Sequence, residues 1–429
     1  MALWAHARLL SSVPASGGSY SVSPAEIRLT FSERPEIALA SIVLVGGGDS
    51  TALAPIRRDS ADENTVVAAI GRTLTGGSYR VIWRVAARDG HPIRGAYTFK
   101  VTTSADGADT AAPAPVTGTP LIDEQESVTP AVAGALGSIF IRWLAFISVF
   151  LAIGSVVFRR FVILPGAPDT FSHIASNNAA TLGLVASAGA VLAAALKLAR
   201  ESSDMPDIAV STILFGSSWG LSIFTTMLAG LVAAAGFRAA HSAAASSRRI
   251  GWAAASAAAI VLGITPAFGG HAIGGDTPYL AVPADIVHVL GGSAWLGTLA
   301  VIVIVGISAA LKAPDDTRPG GRVASLINRF SPIALMCGGA VVATGLGSSV
   351  IRLPRLDSLW TTIYGFVLIL KLVFVLFLFG AGAWNWRRMK PRLTGDNAIS
   401  PMRSSASFEL LLASIVLMLT AVLVALETP

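Results

Sequence analysis

The stretch GSYRVIWRVAARDGHPIRGAYTFKV, residues 77–101, holds two patterned runs separated by a short polar break. In the first, Tyr79, Val81, Trp83 and Val85 alternate with Arg80, Ile82 and Arg84. Successive side chains of a strand point to opposite faces, so a period of two marks a half-buried strand. GAYTFKV, residues 95–101, reads as the last strand, and Ile27, Leu29 and Phe31 repeat the alternation in EIRLTFS. Turn signals, GGG at 46–48 and GG at 76–77, punctuate these runs. An all-β sandwich over residues 6–102 is expected. The break between the two runs contains Asp89 and His91, and the only other histidine in the first 137 residues is His6.

Composition changes sharply beyond this domain. Residues 103–137, TTSADGADTAAPAPVTGTP onward, are small, polar and Pro-rich, as in a flexible linker. The whole chain of 429 residues is 53% hydrophobic and 13% charged, whereas a soluble globular chain carries about 25% charged residues. From residue 138 to 429 it divides into apolar runs at about 138–164, 179–199, 209–236, 250–269, 284–311, 332–351, 361–386 and 408–426. Each approaches the roughly 20 residues that cross about 30 Å of hydrocarbon. An all-α polytopic bundle of about eight transmembrane helices is therefore expected behind the sandwich. The single cysteine, Cys337, excludes an internal disulfide and reads as a small buried hydrophobe. MALWA, residues 1–5, ends in a small residue suited to cleavage. Cleavage between Ala5 and His6 is expected, which makes residues 1–5 the remnant of a signal peptide.

Charge orients the bundle. Residues 1–137 hold 11 Lys+Arg against 13 Asp+Glu, so the net +6 comes from the membrane half. There it reports loop charges that set topology, and a nucleic-acid partner is excluded. With the sandwich outside, the inward loops hold 14 basic residues, among them Arg159, Arg160, Arg248 and Arg249, and the outward loops only Lys197, Arg200, Arg352 and Arg355. That bias places both the sandwich and the carboxyl terminus outside the cytosol.

The histidines then sort by position. His173 and His241 fall in cytosolic loops and read as solvated. His271, in GGHAIGGD, lies where the fourth helix emerges outside, and His288 lies about one turn inside the outer end of the fifth. Asp285 and His288 are three apart and share a helix face. Together with Asp276 they give two histidines and two carboxylates at an outer mouth, where ionisable groups are costly unless paired or functional. Lys371, about ten residues into the seventh run, is expected to face the bundle interior as a gate, a charge balancing a metal path, or a structural lysine on helix carbonyls. Met227 in the third run reads as packing. In the front domain, a freed α-amine on His6 would join its own imidazole, His91 and Asp89 as nitrogen and oxygen donors. A square arrangement of such donors suits Cu(II), but zinc takes a tetrahedron and nickel tolerates a square, so the donors alone leave the metal open.

HARLLSSVPASGGSYSVSPAEIRLTFSE, followed by residues 77–101, resembles the CopC family of periplasmic copper-binding proteins, which are small Greek-key, Ig-like β-sandwiches. The resemblance covers residues 6–101 through an initial histidine, SSxPA, LTFSE and WR…DGHPIxGxxxF. It implies a Cu(II) site of the His6 amine and imidazole, Asp89 and His91, with Glu33 as an additional or outer ligand. PEIALASIVLVGGGDSTALAPI lacks methionine, so the Cu(I) site that some relatives hold there is not expected. GHA at 270–272, VHVLGGSAWLG at 287–297 and TIYGFVLILKLVFV through WNWRRMKPRL at 362–393 resemble the CopD family, over roughly residues 138–426. That family is associated with copper handling at the inner membrane, read as uptake.

The expected protein is a copper importer rather than an enzyme, multi-pass in the bacterial inner membrane. Its partners would be copper ions, the lipid bilayer and periplasmic copper carriers. Cu(II) is captured by the sandwich and passed to the mouth formed by His271, Asp276, Asp285 and His288. Two rivals remain: a membrane haem or electron-transfer protein, and a periplasmic copper buffer with a membrane anchor or sensor.

Overall fold

The alternating residues of 27–31 and 79–85 meet across a β-sandwich. The computed structural model describes residues 8–86, 92–102, 128–163, 170–269, 278–313, 319–352, 355–389 and 399–426. It forms two units, Met1–Ala133 with Ala199–Leu221 and Gly269–Asp276, and Gly134–Leu198 with Ser222–Phe268 and Thr277–Pro429.

The first unit contains, among the described residues, strands β1 (Leu9–Val13), β2 (Ser19–Tyr20), β3 (Glu26–Phe31), β4 (Glu36–Gly46), β5 (Asp49–Ala52), β6 (Ile56–Arg58), β7 (Thr65–Ala69), β8 (Gly77–Ala86) and β9 (Pro92–Val101). One sheet runs β1-β3-β7-β6 and the other β2-β9-β8-β4-β5. Ile27, Leu29 and Phe31 point inward from the first, and Tyr79, Val81, Trp83 and Val85 from the second, into one core. Phe31 and Trp83 meet edge to face at 5.3 Å, a geometry that aromatic quadrupoles favour. The strand expected at 95–101 begins earlier, at Pro92, because its ladder with β8 runs from Gly77↔Val101 to Ala86↔Pro92. Gly95 stands opposite Trp83 in that ladder, and a Cβ there would fall on the indole. Gly47 and Gly48, at φ +66° and +83°, turn β4 into β5 through the left-handed region that glycine enters without steric cost.

Among the described residues, eight helices are long and apolar enough to cross a membrane. They are α1 (Val128–Val157, continued by a π-helical turn Phe158–Ile163), α2 (Thr170–Asp204), α3 (Ser218–Ala239), α4 (Ala245–Ile264), α5 (from Pro278–Gly292 through π-helical turns Ser293–Gly297 and Ile302–Gly306 to Lys312), α6 (Pro319–Arg352), α7 (Ile363–Trp384) and α8 (Ile399–Leu423). Helix α1 starts ten residues inside the stretch read as linker to 137, and Pro130 sits in its first turn, where no N–H is required. Helices α2 and α6 also outrun the apolar segments 179–199 and 332–351. Hydropathy registers the hydrocarbon, whereas a helix continues as long as its polar residues have partners.

Arg322 and Arg329, which fall between the apolar runs 284–311 and 332–351 and are among the 14 inward charges, are such residues. Arg322 is buried within α6 and donates from Nη1 to the carbonyls of Ala310 (3.1 Å) and Ala313 (3.0 Å), at the end of α5. Arg329 donates to the carbonyl of Val162 at 3.1 Å. Basic side chains thus satisfy last-turn carbonyls that have no intrahelical donor. Helices α1 and α5 cross with Gly154 against Gly297, so closely that a Cβ on either would strike backbone of the other. The GGSAWLG motif therefore ends on a helix contact made by backbone alone.

Candidate functional site

The sandwich places three separate segments at one rim. Arg8 N–H donates to Ser32 Oγ at 2.8 Å, and Ser32 N–H donates to Arg8 O at 2.8 Å. Residue 8, two past His6, is thereby held beside the residue that precedes Glu33. The connection from β3 to β4 is anchored by Arg58 Nη2 on the Pro35 carbonyl (2.9 Å) and by Arg34 on Glu63 (2.9 Å). At its far side Glu36 pairs with Ala86, and Ala86 with Pro92. The segment bounded by Ala86 and Pro92, which carries Asp89 and His91, therefore starts and ends at the same rim as Arg8 and Ser32. His6, Asp89 and His91 themselves lie outside the described residues. Glu33 is half-buried and has a partner. Among the described residues no group of three or more His, Cys, Asp or Glu could hold a metal ion.

Elsewhere in the sandwich a charge network braces β3. Arg28 donates to Glu26 at 3.0 Å and to Asp59, and Arg57 reaches Glu26 at 3.1 Å. The Ala61 N–H, then the Arg28 guanidinium, hold the Asp59 carboxyl below the usual carboxylate range.

In the helical unit, Asp285 and His288 lie on α5 as expected, both half-buried. His288 Nδ1 stands 3.0 Å from Thr344 Oγ1 on α6, and Thr344 donates its only hydroxyl proton to the Ala340 carbonyl at 2.7 Å. The hydroxyl of Thr344 thus bridges the His288 ring to the α6 backbone and fixes how the ring is turned. Gly345 lies under the ring, where a Cβ would come within 3.3 Å of Cε1. Lys371 is half-buried on α7 and has a partner. His271 and Asp276 lie outside the described residues. His173 is not in a loop but near the start of α2, with Nδ1 3.3 Å from Asn177 Nδ2, and His241 Nε2 is 3.5 Å from Thr181 Oγ1.

Two polar features went unread in the sequence. Thr344 is one, since its role depends on a pairing across 56 residues. The other is a cluster of Asn385, Glu409 and Ser405. Asn385 donates to Glu409 Oε1 and accepts from Ser405 Oγ at 2.5 Å, with Asn385 and Glu409 each 6% exposed. A carboxylate at the edge of the last apolar run was its only signal.

The CopC domain model matches residues 9–102, and the Copper resistance protein D model matches residues 324–423. Copper transport protein CutJ of Bacillus subtilis (strain 168) is 25% identical over 404 residues, covering 91% of this chain and 70% of its own length. Copper resistance protein C of Pseudomonas syringae pv. tomato is 39% identical over 103 residues, 23% of this chain and 81% of its own. The crystal structure of CopC from Methylosinus trichosporium OB3b is 25% identical, with 24% of this chain and 100% of that chain covered and a TM-score of 0.22.

Proposed function

Because this chain belongs to the copper resistance family, with a CopC domain and a CopD domain in one polypeptide, we propose that it captures Cu(II) on the outer side of the inner membrane and carries copper inward. The His6 amine and imidazole, Asp89 and His91 hold the ion, with Glu33 at the edge of the site. His271, Asp276, Asp285 and His288 receive copper at the outer mouth of the eight helices, and Lys371 sets the charge deeper in the path. Periplasmic carriers deliver the ion, and the sandwich and carboxyl terminus both face outward. The supporting observation is the sheet register: Arg8, Ser32 and the paired Ala86 and Pro92 converge on one rim, so ligands more than eighty residues apart in sequence need span only short segments.

A nitrogen-rich Cu(II) site has d–d absorption, so titrating the processed full-length protein should develop that band, and His91→Ala should abolish it. A mature protein that starts elsewhere than His6, or a titration without the band, overturns the capture site. The transfer path is tested separately: cells carrying the His271→Ala/His288→Ala double variant should accumulate less copper, and normal accumulation would refute the mouth. The names of several relatives, Copper resistance protein C, favour a second reading, a copper buffer that confers tolerance. A deletion strain separates the two by sign, because loss of an importer lowers cellular copper and loss of a buffer does not.

A further inference from the structure

A basic cavity of about 550 Å³ opens where the end of α1 meets the start of α4, lined by Arg159, Arg160, Arg248, Arg249, Trp252 and Ser256 together with small apolar side chains. The volume falls within the range of small-molecule sites, about 300–1,000 Å³. Among the described residues the lining contains four guanidinium groups and no carboxylate. Among the described residues, none of the four comes within salt-bridge distance of an acid. Arg159 stands over the Trp252 ring at 5.7 Å, and Arg248 spends Nη1 on the carbonyls of Ser242 (3.1 Å) and Ala243 (3.3 Å).

The decisive feature is a set of orphaned donors. Arg159 Nε and Nη1 and Trp252 Nε1 are buried and have no hydrogen-bond partner among the described residues. Buried donors are almost always satisfied, and a site that offers donors and positive charge without acceptors is complementary to an anion rich in oxygen. A phosphate oxyanion supplies several acceptors and suits a fork of guanidinium nitrogens. We propose that this cavity binds a phosphate group carried either by an anionic phospholipid or by free phosphate. The loops at this end are those the charge bias assigns to the cytosol, where basic pockets between membrane helices take lipid headgroups.

The purified full-length protein, delipidated and reconstituted in nanodiscs, provides the test. Thermal stability is compared in phosphatidylcholine alone, in phosphatidylcholine with phosphatidylglycerol, and in phosphatidylcholine with added inorganic phosphate. A rise in Tm with phosphatidylglycerol supports the lipid source, and a rise with inorganic phosphate supports the free anion. At roughly 1 kcal/mol for each basic residue facing an anionic headgroup, affinity should fall about fivefold per charge removed and about 25-fold in R159Q/R248Q. Arg159→Lys keeps the charge but not the fork, and should retain an intermediate response. If neither ligand raises the Tm of the wild-type protein, the proposal is overturned, whatever the variants do. A folded double variant that responds like wild type overturns it equally.

Discussion

Replacing Thr344 by valine tests the membrane path at one bond. Valine matches threonine in shape, so the substitution removes the hydroxyl 3.0 Å from His288 Nδ1 while keeping the packing between α5 and α6. Two magnitudes are in competition. If the bond is an ordinary neutral one, its loss is worth about 0.5–1.5 kcal/mol, or roughly 2- to 12-fold. If it orients a ring that receives copper, the effect is that of an outer-shell partner on a metal ligand, about 10–100-fold in affinity. The contact favours the second, because Thr344 ties the ring to α6 and without it the imidazole is free to turn. Uptake of radioactive copper into proteoliposomes, at copper well below saturation, should therefore fall at least tenfold in Thr344→Val. Thr344→Ser, which keeps the hydroxyl, should stay near wild type, and His288→Ala should abolish transport. Wild-type uptake by Thr344→Val beside a dead His288→Ala would show that the orientation of the ring is not used.

Two further perturbations probe the sandwich. Trp83→Ala empties the space between Phe31 and Gly95 and should cost about 3–5 kcal/mol, while Gly95→Val forces a branched side chain onto the indole and should cost about 1–3 kcal/mol. Near-ultraviolet circular dichroism of the detergent-solubilised chain during thermal unfolding would measure both. Asp59 gives a pH dependence of known sign. Its folded-state pKa is depressed by the Ala61 N–H and by Arg28, so its stabilising contribution is complete above the ordinary carboxylate pKa and is lost as pH falls through the depressed value. Asp59→Asn should lower stability at neutral pH and flatten the acid limb of a denaturation-midpoint profile, and an unchanged limb would count against the network.

The sandwich was legible because its buried residues repeat every second position, and Ile27, Leu29, Phe31, Tyr79, Val81, Trp83 and Val85 all reached the core. The eight helices were legible as apolar runs, but their ends were not. Arg322 looks like a loop charge until the open carbonyls of Ala310 and Ala313 are seen beside it. The rim was only half legible. A local motif shows Asp89 next to His91, but only the register of β1 with β3 and of β4 with β8 and β9 brings the stretch after His6 to the same place. Thr344 and the Asn385–Glu409 pair depend on which helix faces meet, a property with no local signature.

The crossing of α1 and α5 constrains how the helical unit can move. With a glycine on each side at Gly154 and Gly297, neither helix can slide along the other, because a shift of one turn would bring Phe150 or Val301 to a place where even a Cβ strikes backbone. The two can still pivot about that point. An alternating cycle in this unit would therefore have α1 and α5 as its fulcrum, with displacement growing toward the helix ends, where Asp285 and His288 lie on one side and the arginines of α1 on the other.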